Sequence, residues 1–180
     1  VKKNALSLLF VSCLSLFLLS ACGGATAELP PDDLYTGAPA WVTGDCRAHF
    51  GQKQVICGVG SVSGEANQSL ARNAAMERGR TEIEHYLRVR VKSILAEYQS
   101  AGGDIGELSI EESSRRIAEV TLSGTRMVEQ WTAADQTHYA LMSLGIDDFT
   151  SSVQRAQGID EGVRHAVLQN TAKVFAIYED

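Results

Sequence analysis

The sequence predicts an α+β domain: a small antiparallel sheet of hairpins packed on one long and one C-terminal helix. Three observations lead there. Runs rich in β-formers occur in two places, around residues 42–59 and 125–146, and each is interrupted by a turn signal. Between them apolar residues recur every four positions from Ala71 to Tyr98, the spacing of a helix face. Helical spacing returns over residues 159–178, so helices and strands are grouped rather than alternating, which favours an antiparallel sheet with helices on one face.

The N-terminus reads as an address, not a fold element. Lys2 and Lys3 precede a stretch, residues 5–21, that carries no charge and ends in small residues, the layout of a secretory signal. A membrane span needs about 20 apolar residues and a basic stop; here Gly23 and Gly24 follow directly. Leu19-Ser20-Ala21-Cys22 resembles the bacterial lipobox, a leucine, two small residues and a cysteine. That resemblance implies diacylglyceryl transfer to the Cys22 thiol, cleavage before it, and a second acylation, such as by palmitate, at the new amine. One acyl chain binds a bilayer marginally whereas several hold stably. Gly23, where aspartate would retain the protein at the inner membrane, implies the outer membrane. The expected organisation is therefore a signal peptide at 1–21, a lipidated tether at 22–40, and a single α+β lipoprotein domain at 41–180. The tether, "GGATAELPPDDLYTGAPA", is rich in Gly, Ala, Pro and Asp, with Pro30-Pro31 favouring an extended chain.

The chain has a formal charge of −6; without Lys2 and Lys3 it holds 14 basic and 22 acidic residues, or −8. That balance argues against nucleic acid and against electrostatic attachment to anionic lipid.

After the signal leaves with Cys13, and Cys22 is acylated, Cys46 and Cys57 remain, in a compartment where disulfides persist. Gly51-Gln52 fits a glycine-first hairpin turn. Centred there, a hairpin pairs Phe50 with Lys53, Ala48 with Val55 and Cys46 with Cys57. Val42, Cys46, Ala48, Phe50, Val55, Cys57 and Val59 then share the core face, opposite Asp45, Arg47, His49 and Gln54. Ile56 and Lys53 do not fit this pattern. Directly opposed residues lie roughly 4.5–5.5 Å apart at Cα, within reach of a disulfide. A loop this short would contribute on the order of 2–3 kcal/mol. Two small buried thiols on one face are the alternative.

Residues 67–100 form the long helix, capped by Asn67 and ended by Gly102-Gly103. Its stripe is Ala71, Ala75, Gly79, Ile83, Leu87, Val91, Ile94 or Leu95, and Tyr98; the first three are small, so it approaches its neighbour closely. Ser109 with Glu112 reads as a capping box opening a short helix that Gly124 ends. "TRMVEQWTA" and "QTHYALMSLGI" are two strands joined near Ala134-Asp135. The final helix, 159–178, turns Val163, Ala166, Val167, Val174, Ile177 and Tyr178 inward, with Asp160-Glu161 in its acidic first turn. The expected order is ββ-α-α-ββ-α.

No pattern carries catalysis. Gly58, Gly60 and Gly64 miss the dinucleotide spacing by one residue and lack a parallel βαβ unit, so "CGVGSVSG" reads as a strand closely approached by the long helix. His49, His85, His138 and His165 form no ligand pair, so no metal or other cofactor is expected. Ser61 and Ser63 do not match a nucleophile elbow, and Glu111-Glu112 and Asp147-Asp148 are ordinary helix-start or loop pairs. Trp131 and Tyr139 flank the second hairpin; cross-strand packing explains them, and an exposed aromatic docking surface is the functional alternative.

Ala38-Pro39-Ala40-Trp41-Val42, Gly58-Val59-Gly60, the small-residue helix ending at Gly79-Arg80, Leu122-Ser123-Gly124, Val128, Trp131 and residues 139–144 (Tyr-Ala-Leu-Met-Ser-Leu) resemble, in that order, the Lpp-twenty family of bacterial outer-membrane lipoproteins. That family includes a flagellar assembly lipoprotein. The resemblance implies a non-enzymatic envelope protein anchored on the periplasmic side of the outer membrane. Its partners would be other envelope proteins or further copies of itself, in some members within a ring around the flagellum. A monomeric periplasmic module holding a small ligand between sheet and long helix is the alternative.

Overall fold

The computed structural model describes residues 32–51 and 53–176. The expected anchor Cys22 lies outside the described residues, as do Gln52, Ile177 and Tyr178. The fold is α+β, with a three-stranded antiparallel sheet packed against a long helix and further helices. Strands β1 (Val55–Val62), β2 (Arg126–Thr132) and β3 (His138–Gly145) lie in the order β1-β3-β2, so the two outer strands belong to different parts of the chain. A short helix, α1 (Ala40–Thr43), precedes β1, and the long helix α2 (Gln68–Ser100) follows it. Helix α3 (Glu107–Thr121) comes before the β2–β3 hairpin, and α4 (Ile146–Arg155), α5 (Glu161–Gln169) and α6 (Thr171–Phe175) complete the described chain.

Helix α2 starts where a cap predicts it. The Asn67 side chain accepts from the N–H groups of Ser69 at 3.0 Å and Leu70 at 3.2 Å, satisfying two donors that a helix start otherwise leaves open. Its buried stripe is Ala71, Ala75, Gly79, Ile83, Leu87, Val91, Ile94 and Leu95. A spacing of four advances about 40° per step around the axis, so the stripe rotates through about 200° between Ala71 and Val91. One helix therefore serves two neighbours. Its small N-terminal half lies on β1 and β3, and its Ile-, Leu- and Val-rich half enters the core with α3, α5 and α6. Ile83, Leu87, Val91 and Leu95 are wholly buried, each contributing about 1.5–3 kcal/mol.

The hairpin expected around Gly51-Gln52 is not formed. Cys46–His49 is a turn of 3-10 helix whose start Asp45 caps by accepting from the Arg47 N–H at 2.9 Å, so only the second half of the proposed hairpin is a strand. The inward face of β1 is also the opposite one. Ile56, Gly58, Gly60 and Val62 are buried, while Val55, Cys57, Val59 and Ser61 lie on the other side, half-exposed. Ile56, the misfit of the hairpin reading, is a core residue. The reason is spacing across the layers. A Cβ on Gly58 would run into the Gly79 carbonyl, and one on Gly60 into the Ala75 carbonyl, so only the glycine face of β1 can lie this close to α2.

Three further boundaries differ from expectation. Helix α3 begins at Glu107 with Gly106 as its cap residue, so Ser109 and Glu112 form no capping box. Helix α4 begins at Ile146, expected to be the last residue of the strand, and places Phe149 and Val153 in the core and Asp147 and Asp148 in its first turn. The expected C-terminal helix is two, α5 and α6, separated at Asn170. Arg164 of α5 reaches back to the carbonyls of Gln154 at 3.0 Å and Ala156 at 2.8 Å, satisfying the end of α4. The second hairpin forms as expected, with a bulge between Met127 and Glu129. Among the described residues no helix is long and apolar enough to cross a membrane.

Candidate functional site

The face of the sheet turned away from α2 is covered by residues 35–50, which run across it as a strap. Four attachments hold it. Cys46 and Cys57 form a disulfide, with their Cα atoms 6.1 Å apart, bridging the 3-10 turn to β1 rather than two paired strands. The Trp41 indole N–H donates to Glu129 Oε2 at 2.7 Å, and His49 Nδ1 lies 3.3 Å from the same oxygen. The Tyr35 hydroxyl lies 3.5 Å from that of Tyr139. Trp41 is only 2% exposed, and Leu141, the β3 register partner of Glu129, is wholly buried.

Trp131 and Tyr139 are register partners on this face, with ring centroids 5.6 Å apart and planes tilted by 47°. The structure brings them together as a half-buried cross-strand pair, and the strap adds Tyr35 to it. Burial, and then the Tyr35 hydroxyl, push the Tyr139 phenol up to about 12. In the unfolded chain a tyrosine ionises near 10, so the neutral phenol contributes stability that is fully present below about pH 10 and is lost as the pH rises through 12. An ultraviolet titration is expected to show a late ionisation from Tyr139, and Tyr35→Phe is expected to bring it earlier. An unchanged Tyr139 transition in Tyr35→Phe would refute the assignment to this pair.

Around the disulfide, Arg47 donates to both carboxylate oxygens of Asp45, which its side chain and backbone N–H hold below the usual carboxylate range. Asp45, Cys46 and Cys57 are the one group of metal-capable donors brought together among the described residues, and the disulfide engages both sulfurs. The four histidines stay apart. His49 serves the strap, His138 meets Thr132 Oγ1 at 3.1 Å, His85 lines a shallow cleft on α2, and His165 is exposed.

Between sheet and long helix, backbone meets backbone at Gly58, Gly60, Ala75 and Gly79. Among the described residues a cleft of about 440 Å³ lies on α2 at Glu82, His85, Tyr86 and Val89, and further open space lies beside the start of β1. Two clefts of about 240 and 260 Å³ adjoin there and share Arg47, Val55 and Phe175. The strap and these two clefts were not legible as a site. Their one sequence signal was the Cys46–Cys57 pair, which a hairpin explained equally well.

No protein-family model matches the chain, and no curated protein matches it.

Proposed function

We propose that this chain is a lipoprotein of the bacterial outer membrane, anchored through Cys22 on the periplasmic side, that acts without catalysis by binding other envelope proteins or further copies of itself. The lipobox-like Leu19-Ser20-Ala21-Cys22 supports the anchor, and the resemblance to the Lpp-twenty family supports an assembly role, with flagellar assembly among its forms. The structural observation that carries the reading is the contact between β1 and α2. A small-ligand module would need room between these layers, and the glycine-lined contact fills it. Among the described residues β1 and β2 each pair on one side only, with β3, and the Trp131–Tyr139 pair lies across β2 and β3. Unpaired strand edges are ready surfaces for association.

The test is the native mass after mild detergent extraction from the protein's own membranes, with Cys22→Ser alongside. The expected result is a large, discrete assembly for the lipidated chain, and incorporation of labelled palmitate by the chain but not by Cys22→Ser. A chain that remains monomeric on cross-linking would overturn the assembly role, and a chain that takes up no label, or a Cys22→Ser variant labelled equally, would overturn the anchor.

A further inference from the structure

The Cys46–Cys57 disulfide joins two unlike segments. Cys57 belongs to β1, where it lies opposite Ser143 in the ladder with β3. Cys46 opens the 3-10 turn of the strap. No described residue of 43–54 is buried, and none belongs to the core around α2. Among the described residues, the bonds from this segment to the rest of the fold, its sequence neighbours apart, are the disulfide and the 3.3 Å approach of His49 to Glu129. A segment with so little buried apolar surface opens locally at low cost. One covalent bond therefore holds an element that burial does not.

The bridge can also be reached. Both cysteines are half-exposed, and both line a cleft of about 240 Å³ with Val55, Tyr86 and Phe175. Exchange needs a thiolate to approach one sulfur, and an exposed disulfide is more readily exchanged than one closed off in a core. Beneath the strap lies the sheet face away from α2, which carries Val59 and the wholly buried Leu141. Opening the bridge removes the strap's covalent hold on that face.

We propose that Cys46–Cys57 is an exchange site for the dithiol of a partner protein, and that segment 43–54 is the latch this exchange opens and closes. The proposal goes beyond the assembly reading and does not depend on it.

The partner's first thiolate attacks one sulfur of the bridge. A mixed disulfide forms as the Cys46–Cys57 bond breaks, and the departing sulfur carries away the electron pair and takes up a proton. The partner's second thiol then gives up its proton and attacks the partner's own sulfur in the mixed disulfide, so the remaining cysteine leaves and is protonated in turn. The cysteine pair is reduced by two electrons, and the partner's dithiol is oxidised to a disulfide.

The probe is reduced thioredoxin, added to the full chain in detergent well below its Tm, with Cys46 and Cys57 followed by alkylation and peptide mapping. The rate of opening is expected to rise about tenfold for a tenfold rise in thioredoxin, while the amides of Leu87 and Val91 keep their protection from hydrogen exchange. A thioredoxin whose second cysteine is replaced by serine is expected to be caught as a mixed disulfide on Cys46 or Cys57. Cleavage within 43–54 should appear with opening and disappear when oxidised glutathione restores the bridge. A rate that levels off at the rate at which Leu87 and Val91 exchange would overturn the proposal, because the bridge would then open only through global unfolding. Failure to capture the mixed disulfide would overturn the exchange site, and a cleavage pattern unchanged by opening would overturn the latch.

Discussion

Replacing Gly60 by alanine is expected to be among the most damaging single-methyl changes in this domain. The new Cβ would overlap the Ala75 carbonyl and lie 2.5 Å from the Gly79 nitrogen. Both are backbone atoms of a long helix, which cannot rotate aside as a side chain can. The layers must separate, and the contacts of Ala71, Ala75 and Val62 on either side loosen with them. The expected cost is about 3 kcal/mol, at the upper end for overpacking, and a fall in Tm of about 10 °C. Gly64→Ala is the control. Gly64 has φ +76° and nothing near its Cβ position, so alanine there meets only backbone strain, about 1 kcal/mol. Thermal unfolding of the two variants side by side decides the matter. If Gly60→Ala is no worse than Gly64→Ala, the close contact between β1 and α2 is not what holds the layers. Gly79→Ala should fall between them, because its nearest obstacle, the Met142 side chain at 2.7 Å, can move.

Opening the Cys46–Cys57 disulfide is expected to free the strap before it unfolds the core. The bridge closes a loop of 11 residues' separation, for which the chain-entropy estimate is about 2–3 kcal/mol. What then holds the strap, among the described residues, is the burial of Trp41 together with the Trp41 and His49 contact with Glu129 and the Tyr35–Tyr139 contact, these last partly open to water. A bond of this kind contributes only about 1 kcal/mol net. Reduction, or Cys46→Ser with Cys57→Ser, is therefore expected to lower Tm by about 5–10 °C. It should also make the chain around residues 43–54 the first site of limited proteolysis, and red-shift the emission of Trp41, read in a Trp131→Phe background. Helix α2 and the β2–β3 hairpin should remain resistant under the same conditions. An unchanged Tm together with an unchanged cleavage pattern would show that the strap does not depend on the bridge.

The elements legible in the sequence are those whose signals are local. Asn67 marks the start of α2 because a side chain and two N–H groups within three residues suffice for a cap. The buried stripe of α2 was readable residue by residue because its period is a property of the helix alone. The β2–β3 hairpin and the pairing of Trp131 with Tyr139 followed from two β-rich runs and the short turn between them. Helix α4 was also within reach, since Ile146, Phe149 and Val153 recur at helical spacing behind Asp147-Asp148, yet the preceding strand pattern absorbed its first residue. The face of β1 was a different matter. An alternating strand contains two candidate faces, and Val55, Cys57 and Val59 were the more apolar choice. Gly58 and Gly60 have the parity of Ile56, and only the distance to α2 made their lack of side chains outweigh the lost hydrophobicity.

The amino-acid order by itself determined the α+β class, the long helix with its cap and stripe, the second hairpin, and a pair of cysteines close enough to join. The tertiary structure decided which face of β1 is inside, that residues 35–50 form a strap instead of a strand, and that β1 and α2 meet backbone to backbone at Gly58, Gly60 and Gly79. The division has a physical cause. Caps, turns and periodicity are settled among neighbours a few residues apart, whereas the packing distance between a strand and a helix from elsewhere in the chain, and what then covers the opposite face, exist only once the layers have met.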